Sequence, residues 1–212
     1  MSLSYGLDAY NLIKIKKALP ICGNKKLAFS NIEIIYREKK IKKKNIYITQ
    51  LQKLPKKVKK SVLKKIKNIT SKRKKISGLD FDKFNIFGVL NMTPDSFSDG
   101  GKFNKLKLAK MHSKKMINDG ASFIDIGGES TRPGAKLIST EIEKQRVLPI
   151  ISKMKKYNIS IDTRKSDVML AAIKKGANII NDVSALDFDQ NSLAVVSKLQ
   201  KPVILNHSQG TP

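Results

Sequence analysis

The chain has 212 residues, with 43 Lys and Arg against 17 Asp and Glu, a formal net charge of +26. Its single cysteine, Cys22, excludes an intrachain disulfide and a cysteine-built zinc site. The first residues lack the apolar core of a secretion signal, and no run approaches the ~20 apolar residues of a membrane span, so a soluble protein of a reducing cytoplasm is expected.

The charge is uneven. Residues 1–84 hold 24 basic and 5 acidic residues, whereas residues 85–212 hold 19 and 12. The lysine runs, Lys42 to Lys44 and Lys72 to Lys75, contain few aromatics on which bases could stack, and arginine is scarce. A lysine-rich solvated surface is therefore expected, and no nucleic-acid or membrane partner.

In chain order, residues 1–19 suggest a short helix with Leu12, Ile13 and Leu19 on one face, stopped by Pro20. Leu27 to Arg37 and Asn45 to Leu51 alternate like strands, with a lysine-rich turn between them that predicts an antiparallel pair. From Pro55 the spacing of Val58, Val62, Ile66 and Ile69 is helical, with a basic face left to solvent. This predicts a small α+β unit over residues 1–82, with Ser71 to Asp82 as a linker.

Residues 83–212 alternate strand and helix. The predicted strands are Ile86–Leu90, Phe123–Ile126, Ile159–Ile161, Asn178–Ile180 and Val203–Leu205. The predicted helices are Lys105–Asn118, one from Thr140, Ser166–Lys175 and Gln190–Leu199. Thr140 and Glu143 read as a capping box, and Pro149 as a kink. Such repetition predicts parallel strands in an α/β fold. Asn91, Asp125, Asp162, Asn181 and His207 sit at strand ends, as polar residues do at the mouth of a (β/α)8 barrel. No glycine-rich dinucleotide or P-loop fingerprint follows the first strand, which weakens a doubly wound sheet.

Two polar loops stand out: Thr93 to Gly101 after the first strand, and Gly127 to Gly134 after the second. A carboxylate at Asp162 beside an amide at Asn181 suits a flat heterocycle offering donors and acceptors, such as an aminopyrimidine edge. The alternative is that both cap the following helices. Thr131 and Arg132 suit a phosphate or carboxylate, or belong to a solvated loop. Asn91 can give an oxygen to Mg²⁺, or merely form a turn. Asp95 and Asp99 read as loop-structuring side chains. His112 lies in a lysine-rich helix and is expected to be exposed, and His207 is the better placed of the two histidines.

The stretches IFGVLNMTPDSFSDGG from Ile86 and IDIGGESTRPGA from Ile124 resemble the two signature blocks of dihydropteroate synthases. ISIDTR from Ile159, IINDV from Ile179 and LNHSQGTP from Leu205 extend the resemblance in order, so that it covers about residues 84–212. It implies a (β/α)8 TIM-type barrel, of which about the first five βα units are present. It also implies joining of 6-hydroxymethyl-7,8-dihydropterin diphosphate to p-aminobenzoate, with Mg²⁺, and release of diphosphate. On this resemblance Asp162 and Asn181 bond the pterin ring, and Asp125 lies near its floor. Asn91 helps hold Mg²⁺ and diphosphate, and Thr131 and Arg132 act on the substrate side of the second loop. Phe97 and Pro133 wall the p-aminobenzoate site, which is the sulfonamide target. A cytoplasmic homodimer is implied for the full-length protein.

Asn206 and Ser208 stand where the family commonly has methionines, and Ser166 stands for a common proline. The family's remaining strands, with a further pterin-binding Asp, a Ser-Arg-Lys segment and an Arg/His pair, have no counterpart here. The expectation is a sequence truncated at its C-terminal side and inactive alone. Two other readings are a pterin-binding methyltransferase acting on a corrinoid, which the TPDSFSDGG and STRPG loops disfavour, and a nucleic-acid-binding N-terminal module on a decayed enzyme.

Overall fold

A computed structural model describes residues 2–37, 40–93, 102–131 and 134–207. The chain divides into two compact units, residues 1–74 and 75–212.

The first unit has its own apolar centre. Strand β1 (Leu3–Tyr5) leads into helix α1 (Gly6–Lys14), followed by β2 (Leu19–Ile21) and β3 (Asn24–Phe29). These strands form an antiparallel sheet in the order β1-β3-β2. A hairpin of β4 (Asn31–Arg37) and β5 (Ile41–Tyr47) is followed by a 3-10 helix (Ile48–Lys53) and by α2 (Lys56–Thr70). Phe29, Ile32, Ile46, Leu51, Val62 and Ile66 make the shared core. Val62 and Ile66 recur at helical spacing on α2, so its lysines stay in water.

Three expectations for this unit need correction. The strand predicted over Leu27–Arg37 is two strands, broken at Ser30, whose carbonyl accepts from the Ile48 amide. The second predicted strand starts earlier, at Ile41, and gives way to the 3-10 helix at Ile48, because the lysines of β5 hide its alternation. Pro20 does not stop α1, which ends at Lys14; it lies in β2, at a sheet edge where a missing N–H is tolerated.

The second unit is a five-stranded parallel sheet in which sequence order equals spatial order: β6 (Phe87–Asn91), β7 (Phe123–Gly127), β8 (Ile159–Asp162), β9 (Ile179–Asp182) and β10 (Val203–Leu205). Between them run α3 (Lys102–Asn118), α4 (Thr140–Met154), α5 (Ser166–Lys175) and α6 (Ser192–Leu199). These are five consecutive βα strands of the expected α/β type, and among the described residues the sheet is open at β6 and β10. Every residue of β7 is buried, as a central parallel strand covered on both faces requires.

The strand pleat sorts the side chains. Leu90, Ile126, Ile161 and Ile180 occupy one row of the register and pack with Val147, Ile150, Ile151, Met154, Val168 and Met169 from α4 and α5. Full burial of such a side chain contributes roughly 1.5–3 kcal/mol. The next row, one residue further along each strand, is Asn91, Gly127, Asp162 and Asn181, and it faces the opposite way. The aliphatic contacts of the helices thus hold a row of polar groups at the strand ends.

Candidate functional site

Asn91, Gly127, Asp162 and Asn181 stand side by side across four strands. A Cβ on Gly127 would lie 3.4 Å from Asp162 Oδ2 and 3.6 Å from Asn91 Oδ1, so glycine leaves the space between these two side chains open. Two residues back on the same face of β7 is Asp125, paired in register with Ser160. Asn181 Nδ2 donates to Asp125 Oδ2 at 3.0 Å, and Asn206 Nδ2 donates to Asn181 Oδ1 at 3.1 Å. Asp162 and Asn181 do not cap helices: Lys165 and Asn191 hold those positions on α5 and α6. The register therefore brings together Asp162, Asn181, Asp125 and Asn91, which lie as much as 90 positions apart in the chain.

Two buried oxygens on this face, Asp125 Oδ1 and Ser160 Oγ, have no hydrogen-bond partner. A buried polar atom left unpaired costs about 1–3 kcal/mol, so such a pair on one face marks a place for a polar ligand. Burial raises the Asp162 carboxyl to a pKa of about 7, helped by the negative charges of Asp125, Glu143 and Asp182 and opposed by Arg164. A carboxyl poised there changes charge on meeting a ligand that offers N–H donors. Asp182 is committed to structure: its carboxylate accepts from the Ser184 amide and hydroxyl and from the Leu186 amide.

A second cluster lies beside the row. Glu129 Oε2 meets an Arg164 guanidinium nitrogen at 3.1 Å, and Glu129 Oε1 meets Lys165 Nζ at 3.1 Å. Lys165 Nζ also meets Glu143 Oε2 at 2.7 Å. The Glu129 carboxyl is pushed up by burial, yet hydrogen bonds from the Ile138 amide, Arg164 and Lys165 outweigh this and hold it below the usual carboxylate range. The Arg164 guanidinium also stacks over the Phe188 ring at 4.2 Å.

Residue reading missed this cluster and also the bond from Asn206. The cluster's partners are 22, 35 and 36 positions apart in the chain, so no local spacing announces them. The capping box expected at Thr140 and Glu143 is corrected by it. Ser139 is the cap, its hydroxyl accepting from the Ile142 amide, and Glu143 is turned inward to Lys165. Thr131 is exposed, as are His112 and His207, neither of which joins the row. Arg132, Pro133, Phe97, Asp95 and Asp99 lie outside the described residues. Among the described residues no three His, Cys, Asp or Glu side chains form a group that could hold a metal, and no helix is long and apolar enough to cross a membrane.

The family model described as pterin binding enzyme matches residues 87–212. The dihydropteroate synthase of Bacillus subtilis (strain 168) is 47% identical over 131 residues, 60% of this chain and 46% of that protein. The structure of Xanthomonas albilineans dihydropteroate synthase with 4-aminobenzoic acid aligns with a TM-score of 0.59 at 43% identity, covering 62% of this chain and 49% of that one. The Yersinia pestis dihydropteroate synthase in complex with a sulfonamide drug aligns with a TM-score of 0.57 at 42% identity, covering 63% and 50%. The chain thus spans about half the length of the curated relatives it matches. With the family model matched over more than half of its residues, the chain belongs to the pterin binding enzyme family.

Proposed function

We propose that the chain serves a dihydropteroate synthase reaction. In it, 6-hydroxymethyl-7,8-dihydropterin diphosphate condenses with p-aminobenzoate to give 7,8-dihydropteroate and diphosphate. The bond from the pterin methylene carbon to the diphosphate oxygen breaks, the amine nitrogen bonds to that carbon, and the amine gives up one proton. The observation that carries this reading is the polar row Asn91, Asp162 and Asn181 above the unpaired oxygens of Asp125 and Ser160.

In this reading the Asp162 carboxylate accepts from the amino group and adjacent ring N–H of the pterin, and Asn181 supplies the complementary amide. Asp125 orients Asn181 through the 3.0 Å bond between them and helps form the pterin floor. Thr131 and Arg132 act on the substrate side of the second loop, beside the p-aminobenzoate site that Phe97 and Pro133 wall. When Mg²⁺ is bound, the Asn91 carboxamide oxygen would hold it, and the ion would neutralise leaving-group charge. A single neutral protein donor suits an ion that arrives with its phosphate ligands. Excluding water matters here, because water would otherwise capture the electrophilic methylene. A cytoplasmic homodimer completes the proposal.

The test is calorimetric titration of the 212-residue chain with a 6-hydroxymethylpterin probe. Binding that Asp162→Ala weakens by about a hundredfold, the cost of two lost charge-assisted hydrogen bonds, is expected. Equal binding by wild type and variant, or no binding by either, sinks the proposal.

A further inference from the structure

The cluster around Glu129 is costly to build. Glu129 and Glu143 side chains are 4% and 0% exposed, and those of Lys165 and Arg164 are 11% and 19% exposed. Ions this deep lose hydration that their mutual attraction repays only with close geometry. The charges balance, two carboxylates against two cations, and they come from three places in the fold: the end of β7, the first turn of α4, and the connection from β8 to α5.

Glu129 does more than neutralise charge. It lies in the stretch Gly128–Thr131, and its Oε1 accepts from the amide of Ile138 at 3.1 Å, in the stretch Gly134–Ser139. One carboxylate therefore ties the two stretches together, through residues nine positions apart, and fixes both to the cations at residues 164 and 165. Two further contacts hold the first stretch. Arg146 donates to the Gly128 carbonyl at 2.8 Å. A Cβ on Gly128 would meet Val147 Cγ1 at 2.8 Å and Glu143 Cγ at 2.9 Å, so this backbone is pressed against α4. The cations lie two and three residues beyond Asp162, and the charges of Glu143 and Arg164 act on its carboxyl with opposite signs.

We propose that Glu129 is a positioning residue, a clamp that holds the Gly128–Thr131 and Gly134–Ser139 stretches in register with the Asp162 strand and so sets Thr131 for the aromatic amine. The assignment of the amine rests on the proposed function, whereas the clamp itself does not.

The experiment uses the full chain and Glu129→Gln, which keeps the shape of the side chain and an acceptor for Ile138 but removes the charge facing Arg164 and Lys165. Lys136 is exposed between the clamped ends, so trypsin cleavage of the Lys136–Leu137 bond reports on the clamp, and cleavage after the exposed Lys175 at the end of α5 is the control. The expected result is cleavage after Lys136 about tenfold faster, with Lys175 unchanged. Affinity for sulfanilamide, measured with a pterin probe and diphosphate present, should fall about tenfold, while pterin affinity stays within about twofold.

Unchanged cleavage at Lys136, equal acceleration at both sites, or equal loss of both affinities overturns the clamp. Should the variant fail to fold, hydrogen exchange in the unaltered chain decides. The Ile138 amide should exchange at least about tenfold more slowly than those of Lys136 and Leu137, and equal rates reject the proposal. If the wild type binds neither pterin nor sulfanilamide, the proposed function fails, while the cleavage pattern still decides whether the clamp exists.

Discussion

Asp162 carries a pKa of about 7 because burial, and next the charges of Asp125, Glu143 and Asp182, disfavour its ionised form. The folded chain therefore keeps a proton that the unfolded chain releases near pH 4. The stability that goes with this proton is fully present below the unfolded pKa and is lost as pH rises through about 7. Glu129 has the opposite sign: its lowered pKa gives stability above the unfolded value that is lost on acidification. Asp162→Asn separates the two, since it fixes the neutral form at one site only. Its melting temperature should gain on the wild type steadily from about pH 4 to pH 7, reach an advantage on the order of 5 °C, and stay flat above. Thermal melts across that range check this, and a constant difference rejects a raised Asp162. Its pairing with Asn181 was legible in the sequence because polar residues at strand ends share one mouth. Its proton affinity was not, because the charges that set it reach it only through folding.

At the scale of elements, β7 and α4 show why legibility varies. The strand FIDIG reads plainly, since its apolar residues on both sides of Asp125 can hide only between two faces. The start of α4 misleads, because Thr140 with Glu143 matches a capping box while Ser139 makes the actual cap. The inward turn of Glu143 depends on Lys165, which no helix rule supplies. The close approach of Gly128 to α4 makes the junction testable. Gly128→Ala puts a methyl group within 2.8 Å of Val147 Cγ1 and 2.9 Å of Glu143 Cγ, both atoms near the backbone of a packed helix. The expected cost is about 1–3 kcal/mol, measured by urea unfolding with an unchanged slope. Gly88→Ala is the milder case: its nearest neighbour at 2.8 Å is Met116 Sδ, on a flexible side chain that can swing aside, and only Met116 Cβ at 3.2 Å must give by a few tenths of an ångström, so a loss of about 1 kcal/mol is expected.

For the whole molecule, the alternation of strands and helices predicted five parallel strands, and the structure orders them as the chain does. The N-terminal unit was harder to read, since its short strands carry lysines where a pattern would need apolar residues. Among the described residues the second unit has β6 and β10 as sheet edges, and apolar side chains accompany them: Val89 is 58% exposed, Leu205 57% and Met111 of α3 58%. Unpaired strand edges beside apolar surface favour pairing with another copy. The net charge of +26 opposes this by repulsion that salt screens within about 8–10 Å. These terms compete, so self-association should strengthen as salt rises from about 0.05 M to 0.5 M. Val89→Lys places a charge on the β6 edge at a position already in water. It should weaken association about tenfold at the higher salt and change folding stability by less than about 0.5 kcal/mol. Sedimentation velocity over a concentration series measures the first and thermal melts the second. Association that is undiminished in Val89→Lys shows that the β6 edge is not the contact, and association that falls with salt shows that charge, not apolar surface, drives it.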